Sequence, residues 1–370
     1  MTGLTGGTLG LLFFLGFANG TNDVSKGIAT LAGSGLATPG RAMVWGTGWT
    51  VLGSLCGILW GGAVLHTIVG GAPSGAGSLP EGARLSVIAA TAGWVLLSSV
   101  RGWPVSTTHA IAGSLLGATA ATAWESAVAW DPIVRTILLP LLVSPVLAGI
   151  LASAVVRIFP ETIGAASAEG TKVCLLPRLK WLVDSSGETA ALAAGRACAV
   201  CPADSRDAAG HFGFRIGARR LHWGSGALLS FARGLNDTPK FVAVTLLAIP
   251  PGTNIAAPWL FLLAAVAIGA GSLLGGGRVT RVLGSELAPI DPHRGLLANA
   301  VSSLLVAGAS PLGVPVSTTH VAAGAILGSA DGRGIVWGTV RTMAGAWLVT
   351  VPVAALAAGF LETLLAGMLR

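Results

Sequence analysis

The strongest constraint on this chain is a row of long, almost uncharged apolar segments. Ten of them, at 4–24, 43–65, 85–100, 107–123, 134–158, 222–247, 259–277, 296–310, 316–330 and 335–361, take up most of the 370 residues. A helix needs about 20 apolar residues to cross the hydrocarbon of a bilayer, and most of the segments come near that length. Charged residues are 10% of the chain, against roughly 25% in an ordinary soluble domain. One core cannot hide the 53% of residues that are hydrophobic, so a soluble enzyme is excluded, as are a disordered chain and a nucleic-acid reader. The 54 glycines follow no collagen-like period and suit close packing of helices in lipid. The expected fold class is therefore an all-α polytopic membrane protein of about 10–12 transmembrane helices. The segments 85–100, 107–123, 296–310 and 316–330 are short; they read as tilted spans or as re-entrant half-helices buried in protein.

The one long polar stretch, 160–221, divides the chain into an N-terminal membrane part (1–159), a polar loop (160–221) and a C-terminal membrane part (222–370). The net charge of +7 resides mostly between apolar runs, where basic residues set topology. Arg157, Lys172, Arg215, Arg219 and Arg220 place the loop on the cytoplasmic side. The segment 278–295, with Arg278, Arg281 and Arg294, falls on the same side, and the uncharged 248–258 on the other. Counting back through five segments puts the N-terminus outside, and the location is a cell (inner) membrane. The loop's Cys198-Ala-Val-Cys201 lacks the second pair that a zinc site needs. Neither a metal site nor a cofactor is expected.

The chain also repeats itself. FANGTNDVSK at 17–26 recurs as FARGLNDTPK at 231–240, and PVSTTH at 104–109 recurs unchanged at 315–320. The two motifs keep offsets of 214 and 211 residues, in the same order, which marks a duplicated half. With about five spans in each half, the halves should have opposite orientations, the inverted-repeat plan of secondary transporters.

The chemistry sits in those motifs. A carboxylate in a membrane segment costs about 3 kcal/mol or more unless it is paired, protonated or facing water, so Asp23 and Asp237 are candidate coupling-ion residues. Asn22 and Asn236 add amides that both donate and accept and join the candidate substrate contacts. Pro104 and Pro315 should stop the preceding helices; Ser106, Thr107 and Thr108, with Ser317, Thr318 and Thr319, then stand at helix N-termini. Such residues either cap a short helix or offer hydroxyls and free N–H groups to an anion. Two such ends meeting from opposite faces would clamp a small tetrahedral anion. His109 and His320 follow directly and either shuttle protons or hydrogen-bond a neighbour. Lys26 and Lys240 share a helical face with the acids; they pair with them, supply positive charge to the anion, or snorkel to the interface. A helix break at Pro239 would swing Lys240 away from Asp237.

These residues resemble the inorganic phosphate transporter family, the sodium- or proton-coupled phosphate permeases, which carries a duplicated G-A-N-D-V-A-N type motif and a duplicated P-V-S-T-T-H motif. Here the first reads Gly20-Thr21-Asn22-Asp23-Val24-Ser25-Lys26 and Gly234-Leu235-Asn236-Asp237-Thr238-Pro239-Lys240. The resemblance implies inorganic phosphate held by the Ser/Thr turns, a coupling H+ or Na+ near the Asn-Asp pairs, and often a homodimer. This chain has Lys where sodium-coupled members have Asn. A fixed ammonium repels sodium, which favours protons.

Three other readings compete. A sulfate or other oxyanion permease of the same fold differs in substrate: phosphate keeps a P–OH to donate to a carboxylate, whereas sulfate has none. An intramembrane hydrolase would use Ser106, His109 and Asp23, but every candidate is present twice, which suits alternating access better than one nucleophile. A channel needs no broken-helix site.

Overall fold

The computed structural model describes residues 3–70, 79–122, 139–159, 172–175, 198–201, 215–250, 252–314, 316–332 and 334–368. The N-terminal half holds α1 (Gly3–Gly33), α2 (Pro39–Trp60), α3 (Gly62–Gly70), α4 (Glu81–Arg101), α5 (Thr107–Thr122) and α6 (Leu139–Ile158). The C-terminal half holds α7 (Ala218–Ala248), α8 (Ala257–Gly275), α9 (Gly277–Arg281) running into a π-helical turn at Val282–Glu286, α10 (Pro292–Ala309), α11 (Thr318–Ala330) and α12 (Trp337–Met368). Between them lie three short strands, β1 (Lys172–Leu175), β2 (Cys198–Cys201) and β3 (Arg215–Gly217), in one antiparallel sheet of order β2-β1-β3. The protein is thus an all-helical, multi-pass membrane protein, with those strands confined to the polar stretch.

Each of the ten apolar segments contains a helix, with shifted edges. The segment 85–100 is a helix of 21 residues, long enough to span. The segment 43–65 breaks at Gly61, which separates α2 from α3. By length and composition α2, α4, α8 and α12 can each cross a membrane. At 1.5 Å per residue, the 16 residues of α5 and the 13 of α11 reach only about 24 and 20 Å, short of a hydrocarbon core of about 30 Å.

Local chemistry explains the ends. Thr38 caps α2, with Pro39 in its first turn; Asp291 caps α10 through the N–H groups of His293 and Arg294, with Pro292 following. Pro104 is not what stops α4: the helix ends at Arg101, where Gly102 takes the left-handed conformation (φ 75°) and returns its N–H to the carbonyls of Ser98 and Ser99. Pro315 lies outside the described residues. Pro239 lies inside α7 and leaves it continuous from Ala218 to Ala248, so Lys240 keeps its face.

The halves are packed by exchange. α1 lies along α8 and α7 along α2; α5 lies along α12 and α11 along α6. Every one of these pairs joins one half to the other, and swapping the halves reproduces the pattern. Glycine makes it possible. A Cβ on Gly271 would stand 2.0 Å from the Phe17 carbonyl oxygen, and one on Gly53 would stand 2.0 Å from the Phe231 oxygen. Phe17 and Phe231 are matched residues of the repeated motif. Without hydrophobic drive between helices in lipid, this close backbone approach supplies the attraction. Leu59, Leu274, Leu304, Leu348 and Phe360 point outward, all at least 65% exposed, as a lipid-facing surface requires.

Gly53→Ala and Gly271→Ala should each destabilise the detergent-purified protein by about 1–3 kcal/mol, the usual cost of overpacking, seen as a lower melting temperature. Gly48→Ala, in the same helix α2 but with nothing within 4 Å of its would-be Cβ, should leave the melt unchanged or raise it. Equal effects at all three positions would refute the packing argument.

Candidate functional site

α1 and α7 each present a polar stripe at helical spacing: Asn19, Asn22, Asp23 and Lys26 on one, Arg233, Asn236, Asp237 and Lys240 on the other. Residues three and four apart stack on one helix face, so each stripe runs through two turns of an otherwise apolar helix. All eight residues are at most 4% exposed.

Within α1, the Lys26 ammonium forms a short ion pair with Asp23 Oδ1 and donates to Asn22 Oδ1 at 2.9 Å. Asn19 Nδ2 donates to Asp23 Oδ2 at 2.9 Å, so both carboxylate oxygens are held. Within α7, Lys240 Nζ lies 2.9 Å from Asp237 Oδ1. The lysines therefore do not snorkel; they pair with the acids three residues earlier. The second pair is less saturated, because among the described residues Asp237 Oδ2 has no hydrogen-bond partner.

The half-helices meet these stripes at their N-terminal ends. Asn19 Nδ2 also donates to Thr107 Oγ1 at 3.0 Å, and Lys240 Nζ donates to Thr108 Oγ1 at 3.0 Å. The first turn of α5 thus touches both long helices. Ahead of that turn, the Val105 N–H donates to Asn22 Oδ1 at 3.2 Å, and Asn22 Nδ2 donates to the Trp103 carbonyl at 2.9 Å. On the other side, Lys240 Nζ and Asn236 Nδ2 donate to the Val316 carbonyl at 3.2 and 3.3 Å. Thr319 Oγ1 donates to the Val105 carbonyl at 2.7 Å and ties the two Ser-Thr-Thr turns together. Ser106 and Ser317 act as caps, their hydroxyls accepting from the N–H groups of His109 and His320 at 3.3 and 3.2 Å. Thr318, the first residue of α11, is buried beside them. The His109 and His320 rings lie against each other at a tilt of 48°, with centroids 4.7 Å apart. Trp347 packs on His320 at 4.0 Å and donates through Nε1 to the Pro104 carbonyl at 2.7 Å.

All fourteen residues singled out from the motifs are thus buried in one place. Two more belong with them. Asn19 and Arg233 occupy matched positions, four residues before each aspartate, and differ between the copies: FANG against FARG. That mismatch inside a repeat was the available signal. Arg233 is 1% exposed, and neither of its terminal nitrogens has a hydrogen-bond partner among the described residues. No group of three or more His, Cys, Asp or Glu side chains forms a metal cluster among the described residues.

Buried, doubled Asp–Lys pairs between two half-helix ends mark a membrane transporter rather than an enzyme with one nucleophile. Comparison with known proteins carries this further. A model of the phosphate transporter family matches residues 19–358. A Mycobacterium bovis protein named "Probable low-affinity inorganic phosphate transporter" is 30% identical over 359 residues, which cover 93% of this chain and 73% of the relative. Inorganic phosphate transporter 2-1, chloroplastic, of Arabidopsis thaliana is 28% identical over 408 residues, covering 93% of this chain and 69% of the relative. A solved structure described as the sodium-dependent phosphate transporter superposes with a TM-score of 0.76 at 21% identity, covering 99% of each chain; that likeness shows the fold. The chain belongs to the phosphate transporter family.

The ion pairs make a stability prediction. Removing one partner of a buried pair leaves a bare charge and costs about 3–5 kcal/mol, whereas removing both costs far less. Asp237→Asn should therefore lower the melting temperature of the purified protein more than the double variant Asp237→Asn with Lys240→Met. A double variant as unstable as the sum of the single changes would show that the pair is not coupled.

Proposed function

We propose that the protein is a symporter that brings inorganic phosphate across the cell membrane, driven by protons. The observation that carries this reading is the convergence of two half-helix N-termini on two buried Asn-Asp-Lys stripes. Helix N-termini offer N–H groups and the positive end of the dipole to an anion, and the Thr107, Thr108, Thr318 and Thr319 hydroxyls line the same place. Ser106 and Ser317 hold the turns, and Asn22 and Asn236 join the turns to α1 and α7. The exchange-symmetric packing of the halves supports an inverted repeat, with membrane parts 1–159 and 222–370, segment 160–221 cytoplasmic and the N-terminus outside.

Proton coupling follows from the lysines. An ammonium already sits on each aspartate. At an effective dielectric of about 20, a charge about 4 Å away contributes roughly 4 kcal/mol against a second cation, which offsets much of a carboxylate's attraction for sodium. A proton instead arrives on the phosphate, on an aspartate, or on the paired imidazoles of His109 and His320. The same ion pairs favour a second reading, a permease for sulfate or another oxyanion. With both carboxylates neutralised, repulsion of a fully deprotonated anion is weak.

Reconstituted in liposomes, the protein should concentrate labelled phosphate under a proton gradient, lose that ability with a protonophore, and respond little to sodium. Lys26→Asn with Lys240→Asn should introduce sodium sensitivity. A sodium requirement at fixed pH in the unmutated protein would rule out proton coupling, and preference for sulfate would move the protein to the second reading. Thr107→Val and Thr318→Val each remove a hydroxyl at nearly constant volume. A hydrogen bond to a charged group is worth about 1.5–3 kcal/mol, so the half-saturation concentration should rise roughly ten- to a hundredfold; no change in either would reduce the turns to helix caps.

A further inference from the structure

The charges of the buried cluster do not balance. Lys26 is paired with Asp23 and Lys240 with Asp237, which leaves Arg233 as a surplus cation among the described residues. Arg233 stands one helical turn before Asp237 on the same face of α7. Yet its terminal nitrogens, on a side chain 1% exposed, have no hydrogen-bond partner among the described residues. The matched residue in the first copy is used differently: the Asn19 amide donates to both Asp23 and Thr107. A purely structural guanidinium would sit on a carboxylate, because an unpaired buried charge is costly. Here the ammonium groups hold one oxygen of each aspartate, and Asp237 Oδ2 stays open as an acceptor.

We infer that Arg233 is the charged anchor of the transported oxyanion, its planar fork holding two oxygens of a tetrahedral anion while Asp237 Oδ2 accepts the proton of a protonated oxygen. This rests on the transporter reading above and sharpens it. The guanidinium presents two parallel N–H donors at the spacing of phosphate oxygens, which an ammonium does not. An unfilled carboxylate oxygen one turn along the same helix face selects an anion that still carries an O–H. Phosphate at neutral pH meets both demands, and sulfate meets only the first. The site is asymmetric although the chain is duplicated: one stripe brings a neutral amide to the turn of α5, and the other brings the charge.

The test uses the full-length protein, purified and reconstituted, as wild type, Arg233→Gln and Arg233→Lys. Two quantities are read: the rise in melting temperature on adding inorganic phosphate, and the half-saturation concentration for uptake. Wild type should be stabilised by phosphate. Arg233→Gln should lose that stabilisation and raise half-saturation at least tenfold. Arg233→Lys, which keeps the charge and loses the fork, should fall between them. A structural role predicts another pattern, in which the ligand-free melt drops and half-saturation stays put; that result overturns the inference. Should Arg233→Gln not accumulate in the membrane, Arg233→Lys decides alone, and an unchanged half-saturation there overturns the inference as well. Wild-type protein that neither binds nor takes up phosphate or sulfate sinks the transporter reading and the anchor role with it. Wild-type uptake with an indifferent Arg233→Gln sinks the anchor role only.

Discussion

Two carboxylates buried in apolar helices set the terms for everything around them. Asp23 and Asp237 are almost wholly buried, so each must find its counter-charge within the protein. The nearest one comes from the next turn of the same helix, as Lys26 or Lys240. That answer creates a further demand, since the ammonium groups must also fill their remaining donor positions. They do so on Asn22, on Thr108 and on the Val316 carbonyl. Thr108 belongs to the first turn of α5 and Val316 to the break before α11. The charged stripes and the helix breaks therefore need each other. A continuous helix would have no free carbonyl at 316, and an apolar α7 would leave that carbonyl unsatisfied.

The same economy governs the distances. Two long helices with ion pairs on one face and lipid on another have little room for ordinary side chains where they cross. Glycine brings α1 onto α8 and α7 onto α2 at backbone contact, so the stripes hold their positions without bulky packing beside them. Rigid placement matters for a site whose hydrogen bonds share donors, as those of Asn19 and Lys240 do: displacing one donor strands more than one acceptor. The tilted imidazoles of His109 and His320 pack beside this network, and Trp347, which lies against His320, donates to the Pro104 carbonyl.

Much of this was legible in the residues. Repetition pointed to Asn22, Asp23, Lys26 and their counterparts, and to both Ser-Thr-Thr turns, because polar residues in apolar surroundings stand out and a second copy removes coincidence. Apolar length located the helices but not their ends. Gly102, not Pro104, stops α4, since left-handed backbone is a property of one residue's torsion and not of hydropathy. The partner of each glycine was illegible. Gly53 and Phe231 are far apart in sequence, and only the packed structure shows that one lies against the other. Arg233 hid for a different reason. A lone arginine near a polar loop reads as a topology signal, and matching the copies drew attention to what agreed. The informative position was the one that did not.

The exchange of partners between halves also bears on how the protein is made. When α1 leaves the ribosome, the helix that its backbone fits, α8, does not yet exist; α2 likewise waits for α7. The first half therefore enters the bilayer with the faces of α1 and α2 that fit α8 and α7 still bare, although its own α4 and α5 already reach the stripe of α1. The finished packing needs both halves at once, with glycine faces of one set against backbone of the other and the charges enclosed between them.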